Sequence, residues 1–508
     1  MSKSYHKTNS LKHTINQTKK NKLTLNSYSK KMSNFYKPLL KKVEKESKIA
    51  HYFRIKENSI MRNFLTYIFP QFSEFTKIIN TLNITKSRNL HTNPSEKINA
   101  IIKEHLSKSK YIDTNVITYI SNNISNCKII TYENIIHNKK FILEFVIYDK
   151  TNINKLDNIV KNMLVFLQIL IKISKNLNNE INSCSKDGIS ITFFFTPFLK
   201  KLTLTKDNNK EILGPKNVNS GFNYTCLSSG SIIIYRKEDF FKVFVHESIH
   251  GYGIDIALHN NFTKNINYNK FINLFALANK DNTNIGINEA VTEFWTSLLY
   301  LCVNSYQDSK NLQNFIYNFE RLYKIELVHA LYQISKILHY NNLTYNTFIN
   351  NSKSNSNYRE NSHIFSYFIV KTLMLINHEH MLNSQVFELN NISKSENIEF
   401  DSLINIKLKH NDIAINKLFS NLYEYAKDPL FIKIMNNIDK AYRKHYNKYA
   451  NNKTQKQKNT NNNNNTNNKN FKLKTRKFST YKGKTNDTLR MENYMLTNLK
   501  MMIYDYNI

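Results

Sequence analysis

The sequence feature that most constrains the fold is the pattern His-Glu-x-x-His at His246 to His250. Positions 246 and 250 are one helical turn apart, so on a helix both imidazoles point from the same face. Apolar residues at helical spacing precede the pattern, and the acidic pair Glu238–Asp239 is typical of a helix start. Two glycines soon after the pattern are typical of a helix end. The sequence therefore predicts a helix over 238–251 that presents two histidines on one face.

This arrangement indicates metal chemistry. Two neutral imidazoles and one carboxylate are the protein ligands of a catalytic zinc ion, whose fourth position is left to water. Glu247, between the histidines, is placed to accept a proton from that water. Downstream, Glu289 and Glu293 are four residues apart and share a helix face, so both can face the metal, one as ligand and one behind a ligand. We expect a hydrolytic zinc site; the alternative is that two helix-face histidines are ordinary core or surface residues.

The two stretches together resemble the gluzincin metallopeptidases, in both the thermolysin-like and the aminopeptidase-like branches of that clan. The resemblance covers residues 230–305 and rests on His246-Glu-Ser-Ile-His250 and Gly286-Ile-Asn-Glu-Ala-Val-Thr-Glu293. It implies one Zn2+ per chain, with His246, His250 and Glu289 as ligands. It also implies that Glu247 is the general base, and that the reaction is hydrolysis of peptide bonds in a peptide or protein substrate.

The resemblance further implies residues that support the ligands. Glu293 stands where gluzincins place an acidic side chain behind a ligand histidine, and Asn288 precedes the ligand glutamate, so we expect both to lie behind the ligands. Two departures are visible. An aspartate is usual at the position of Glu293 in thermolysin-like enzymes, and the glutamate helix comes later here, which makes 259–284 an insertion.

Two other zinc classes can be compared at the same positions. A metzincin has a glycine at the position of Gly253, as here, but a third histidine where this chain has Ile256. A class with an aspartate ligand needs that residue nearby, but Asp255 is one position off and His259 is a further turn away. Glu289 is therefore the favoured third ligand.

The sequence also suggests the substrate side of the site. Gluzincins stabilise the oxyanion with a Tyr or His of the helical subdomain, and the helix predicted over 361–371 offers Tyr367 as the expected donor. His363 and Tyr358 are alternatives, and each tyrosine could instead be a packing residue. An extended substrate pairs with an edge strand, for which Ser231–Tyr235 is the candidate by position unless it is a core strand.

Composition and periodicity predict an α+β, predominantly helical fold. The chain has 508 residues and is 41% apolar, with only 8 glycines and 6 prolines, which argues against a turn-rich sandwich or barrel. Predicted strands at 140–148, 189–196 and 231–235 form a small sheet packed on the His246 helix, beside a helical C-terminal subdomain. The predicted units are a disordered basic tail (1–48), an N-terminal helical or α+β region (49–180), the metallopeptidase-like domain (181–447), a low-complexity Asn/Lys linker (448–487) and a C-terminal helix (488–508).

The net charge of +34 would attract anionic partners without any specific site, chiefly through the basic tails. No recognisable nucleic-acid-binding motif accompanies it, and lysine loaded onto solvated faces and tails by codon bias is the favoured explanation. Two other functions stay open. One is an inactive gluzincin-like structural or virion protein; the other is a basic nucleic-acid-binding protein with an accidental motif.

The four cysteines stand far apart without CxxC spacing, so we expect reduced thiols rather than a disulfide framework. The first twenty residues are polar and basic, which predicts no secretory signal. The strongest apolar run, Met163–Ile171, is too short to span a bilayer. We expect an intracellular protein without a membrane span, located in the virion or host cytoplasm if the source is viral.

Overall fold

The structure is a computed structural model that describes the chain in several segments. These are 11–14, 25–47, 54–57, 59–89, 95–109, 111–175, 184–202, 211–259, 262–277, 285–350, 358–382, 387–388, 407–408, 412–464, 486–506 and 508.

Nine strands are present in these segments. They are β1 (Leu11–Thr14), β2 (Thr85–Asn89), β3 (Lys128–Ile136), β4 (Lys139–Ile147), β5 (Gly188–Phe195), β6 (Gly221–Asn223), β7 (Ser229–Ile234), β8 (Phe387–Glu388) and β9 (Lys407–Leu408).

Helices make up most of the remainder. In the first half of the chain they are α1 (Ser27–Ser47), α2 (Ile60–Thr81), α3 (Ser95–Ile101, extended by the π-helical turn Ile102–Leu106), α4 (Thr114–Asn122), α5 (Ile153–Lys175), α6 (Pro215–Val218) and α7 (Phe240–Gly251). In the second half they are α8 (Ile266–Asn273), α9 (Ile287–Gln307), α10 (Leu312–Tyr340), α11 (Tyr345–Ile349), α12 (Lys371–Ile376, preceded by the π-helical turn Phe365–Val370), α13 (His378–Leu382), α14 (Asp412–Lys427), α15 (Pro429–Asn464) and α16 (Asn486–Thr497).

One mixed sheet organises the fold, with strand order β1-β2-β3-β4-β5-β7-β6. The strands from β1 to β4 are antiparallel, β4, β5 and β7 are parallel, and β6 is antiparallel to β7 at the edge. The predicted strands at 140–148, 189–196 and 231–235 are confirmed as β4, β5 and β7. The expectation that Ser231–Tyr235 is an edge strand is wrong, because the three-residue strand β6, which has no apolar alternation, covers it.

One main sheet among many helices confirms the predicted α+β, predominantly helical fold. Helix α7 packs between this sheet and α9. Phe240 and Phe244 point at the sheet, where their ring centroids lie 6.0 and 6.4 Å from that of Phe193 on β5. Such offset aromatic contacts contribute beyond the area that they bury. The sheet takes strands from both sides of residue 180, so the predicted boundary between 49–180 and 181–447 does not separate two folded units.

The expectation of a disordered tail over 1–48 is wrong for residues 27–47. Helix α1 buries Met32, Tyr36 and Val43 in the main hydrophobic core. These positions share one face of the helix, while lysines cover the other face, so the composition of the tail hid a real apolar stripe. Residues 1–10 and 15–24 lie outside the described segments. In the predicted 448–487 linker, α15 continues to Asn464, and 465–485 lie outside the described segments.

The predicted C-terminal helix is present as α16, but the chain after it is not helical. We call residues 498–506 the C-terminal segment; it is buried across its length. Side chains of α10 bind its backbone: Lys336 Nζ donates to Asn498 O at 2.6 Å, and Gln333 Nε2 donates to Lys500 O at 2.7 Å. These contacts satisfy backbone groups that have no strand partner, as burial requires.

Cys184 and Cys226 form a disulfide, so the expectation that all four cysteines are reduced thiols is wrong. They are 42 residues apart in sequence, but each stands just before one of two paired parallel strands, β5 and β7. Parallel pairing brings the two strand entrances side by side, which the cysteine spacing alone could not reveal. Cys127 and Cys302 are free.

The membrane expectation agrees with the structure in the part of the chain that is described. There, none of the helices combines the length and the apolar character needed to cross a bilayer.

Candidate metal centre

Local backbone geometry fixes the ends of the two helices that build the site. Helix α7 begins at Phe240 after Asp239, whose φ of 61° is left-handed, so the predicted acidic first turn lies outside the helix. Gly253, with a φ of 64°, ends the helix by donating its amide to His250 O at 2.8 Å. Before α9, a Cβ on Gly286 would lie 2.9 Å from His363 Nδ1 and 3.0 Å from Glu289 Cγ, so a larger residue there would displace these side chains.

The three expected ligands converge. His246 Nε2 and His250 Nε2 are 3.1 Å apart, and Glu289 Oε2 lies 3.3 Å from the former and 3.5 Å from the latter. Zinc bonds of 2.0–2.1 Å in a tetrahedron place neighbouring ligand atoms roughly 3.3 Å apart. The triangle formed by His246, His250 and Glu289 therefore has the size of one face of a zinc coordination tetrahedron, and these residues could hold a metal ion.

The second nitrogen of each histidine faces a carboxylate. His246 Nδ1 lies 2.8 Å from Glu293 Oε1, and His250 Nδ1 lies 2.7 Å from Asp255 Oδ2. Asp255 hydrogen-bonds His250, while Glu293 is in ion-pair contact with His246. A carboxylate in either position orients a metal-binding imidazole. Asp255 was considered in the sequence only as a ligand.

His259 is a second imidazole that contacts Asp255. Its Nε2 lies 2.9 Å from the same Asp255 oxygen, so His250, Asp255 and His259 form a second group that could hold a metal ion. The two distances to Asp255 are those of hydrogen bonds. We therefore interpret Asp255 as an acceptor shared by two imidazoles rather than as the centre of a second metal site.

Burial makes these charges interdependent. Burial alone would lower the pKa of His246, but Glu293 and Glu289 outweigh it and raise that pKa. For His250, Asp255 and Glu289 outweigh burial and hold the pKa well above its usual range. Conversely, burial would raise the pKa of Glu289, but the two histidines bring it well below its usual value. The carboxylate and the two imidazoles thus stabilise one another's charged forms, so a metal ion held by these residues would have to replace protons of the imidazoles.

Glu247 lies at the cavity wall and is held by the edge strand. Asn223 Nδ2 of β6 donates to Glu247 Oε2 at 3.1 Å and to the backbone oxygen of Glu247 at 2.8 Å. Burial raises the pKa of Glu247, opposed by His246 and His250. A buried carboxylate with a raised pKa is suited to accept and return a proton. The role of Asn223 has no motif in the sequence, since it depends on the pairing of a three-residue strand.

The expected oxyanion donor, Tyr367, lies next to two of the three ligands. Tyr367, on the π-helical turn before α12, lies beside Glu289, and its ring centroid is 6.1 Å from that of His246. Burial, reinforced by Glu289 and Glu247, raises the pKa of Tyr367 well above its usual value, so its hydroxyl remains a donor. His363 also lines the cavity, whereas the Tyr358 hydroxyl donates to Glu360 instead.

These groups line one cavity of about 240 Å3, in which Asn288 also takes part. Asn288 therefore lies at the cavity wall beside the ligand glutamate. Edge-strand residues 221–223 form another wall, and Tyr111 and His259 line the cavity as well. Of the insertion 259–284, His259 lines the cavity and Ile266–Asn273 form helix α8. Its residues 260–261 and 278–284 lie outside the described segments.

One buried residue of the site was missed in the sequence. Lys242 precedes His246 by four residues on the same helix and forms an ion pair with Glu293. The spacing Lys-x-x-x-His-Glu-x-x-His was visible, and it places the lysine on the ligand face of the helix.

The chain was compared with protein-family models, with curated proteins and with solved structures, and none of the three comparisons gave a match.

Proposed function

We propose that the protein is a zinc-dependent metallopeptidase that hydrolyses peptide bonds in a peptide or protein substrate. The observation that carries the proposal is the triangle of His246 Nε2, His250 Nε2 and Glu289 Oε2, with sides of 3.1, 3.3 and 3.5 Å. Two imidazoles and one carboxylate are the donor set of hydrolytic zinc sites, and each histidine is backed by a carboxylate. A zinc ion held there would act as a Lewis acid towards water and the scissile carbonyl.

The protein's own residues supply the proton transfers. Glu247, held by Asn223, accepts the proton of the attacking water and passes it to the leaving amine. The Tyr367 hydroxyl, which stays protonated, donates to the oxyanion that develops on the carbonyl oxygen. Glu293 and Asp255 keep the two imidazoles oriented throughout.

The test combines metal content with cleavage of a peptide library. We expect the purified chain to bind about one equivalent of zinc and to cleave peptides, and Glu247→Gln to bind zinc equally but to lose activity by about 10²–10⁴-fold. Glu104→Gln, which removes an exposed glutamate elsewhere, is the matched control and should retain activity. A chain without zinc would refute the proposal in favour of a structural role, and full activity in Glu247→Gln would refute the assigned base.

No contact in the described part of the chain favours the nucleic-acid-binding alternative. Binding of anionic partners by the basic tails stays a prediction. It would show as affinity for polyanions that falls steeply with salt and is unaffected by His246→Ala.

A further inference from the structure

Lys242, His246 and His250 form a row along one face of α7, one helical turn apart. Glu289 and Glu293 form a shorter facing row on α9. The two rows interleave: Glu289 contacts both histidines, and Glu293 lies between His246 and Lys242. Lys242 is therefore part of the two facing rows of charged side chains that contain the ligands.

The contacts of Lys242 define what it can do. Its side chain is 2% exposed, and its ammonium pairs with Glu293 Oε1, the same oxygen that faces His246 Nδ1. On its other side, Lys242 Nζ lies 3.1 Å from Met501 Sδ of the C-terminal segment. The ammonium is thus enclosed between the carboxylate and the segment.

We propose that Lys242 is a positioning residue for the metal site and acts through Glu293. A buried carboxylate with one partner keeps rotational freedom and carries uncompensated charge, whereas a second, cationic partner fixes its oxygen and offsets the charge. Lys242 thereby holds Glu293 against His246 Nδ1, which keeps His246 Nε2 directed at the metal position. The inference rests on the proposed function, because it assigns this role toward the bound metal.

Another buried lysine provides a matched control. Lys336 on α10 is 1% exposed, like Lys242, but its ammonium donates to the backbone oxygen of Asn498. Loss of either lysine removes a buried amino group and disturbs packing around the C-terminal segment. Only Lys242 contacts the carboxylate that faces a ligand, so only its loss should change how the site holds metal.

The experiment measures zinc affinity of the full chain by chelator competition, with the absorption spectrum of the Co2+-loaded protein as a second readout and circular dichroism to verify folding. We expect Lys242→Met to weaken zinc binding by about tenfold or more and to alter the Co2+ spectrum. Lys242→Arg should restore part of the affinity, and Lys336→Met should bind zinc as the unsubstituted chain does. Combining Lys242→Met with Glu293→Gln should cost no more than Glu293→Gln alone, because the two act in series.

Several results would overturn the inference. They are unchanged zinc affinity in folded Lys242→Met, an equal loss in Lys336→Met, or losses that add independently in the double variant. If Lys242→Met does not fold, Lys242→Gln takes its place and full affinity in it has the same meaning. A chain that binds no zinc refutes both this inference and the proposed function. A chain whose zinc affinity depends on Lys242 but which cleaves no peptide refutes only the peptidase activity.

Discussion

Glu326 of α10 is a buried carboxyl group whose ionisation should set part of the pH dependence of stability. Its Oε2 accepts the backbone amide of Ile503 at 3.0 Å, while Oε1 has no hydrogen-bond partner within the described residues. Burial raises the pKa of Glu326 from 4.5 to about 7, although Lys371 opposes the shift. The folded state therefore retains a proton on Glu326 that the unfolded chain has already released.

The sign and size of the effect follow from this difference. Because the folded pKa is raised, the stabilising contribution is fully present below about pH 4.5 and is lost as pH rises through about 7. One pKa unit corresponds to about 1.4 kcal/mol, so the loss is about 3 kcal/mol at most, and most of it falls between pH 5 and 8. Glu326→Gln keeps the shape of the side chain without the ionisation.

The assay is denaturant unfolding of the zinc-loaded chain at several pH values. We expect the stability of Glu326→Gln relative to the unsubstituted chain to rise by about 2–3 kcal/mol from pH 5 to 8. Protons linked to zinc binding are common to both chains and cancel in the difference. Glu320→Gln on the same helix, where Glu320 pairs with Lys324 at the surface, is the control and should show a flat difference. A flat difference for Glu326→Gln as well would refute the reasoning.

Three further predictions concern the site and its support. Asp255→Asn should weaken zinc binding by about 10–100-fold, measured by chelator competition, since it removes the anionic partner of His250; equal affinity would contradict the assigned support. Tyr367→Phe should lower kcat by about 10²–10³-fold at full zinc content, and a change in KM alone would instead indicate a role in substrate binding. Replacing Cys184 and Cys226 together by serine should lower the free energy of unfolding under oxidising conditions by about 2–4 kcal/mol, a difference that should vanish when a reductant is added to the unsubstituted chain.

The sequence predicted the elements whose signal is local. His246 and His250 are four residues apart, so helical geometry alone places them together, and the resemblance to gluzincins then indicated Glu289. The strands β4, β5 and β7 were predicted because each is a short local run rich in Ile and Phe. The resemblance also indicated Glu293, which shares a helix face with Glu289, as the carboxylate behind a ligand histidine.

What the sequence did not predict depends on contacts between distant residues. Asn223 reaches Glu247 only because a short strand pairs with β7, and Asp255 reaches His250 only because the chain turns at Gly253. The disulfide between Cys184 and Cys226 follows from the parallel register of two strands. Helix α1 was mistaken for a tail because its lysines dominate the composition, although Tyr36 lies in the core.

The C-terminal segment also brings remote parts of the chain together. Asn26, just before α1, donates its amide to Asp505 O at 2.9 Å, and Leu25 forms a β-bridge with Tyr506. Contacts of such large sequence separation raise contact order, so we expect folding to be slow relative to helical proteins dominated by local contacts. The same proximity means that a short peptide could join residues 25 and 506 without crossing the molecule. A circular permutant joined there, and opened at an exposed loop, would lack β1, which lies at the edge of the sheet opposite β6, so it should keep the metal centre intact.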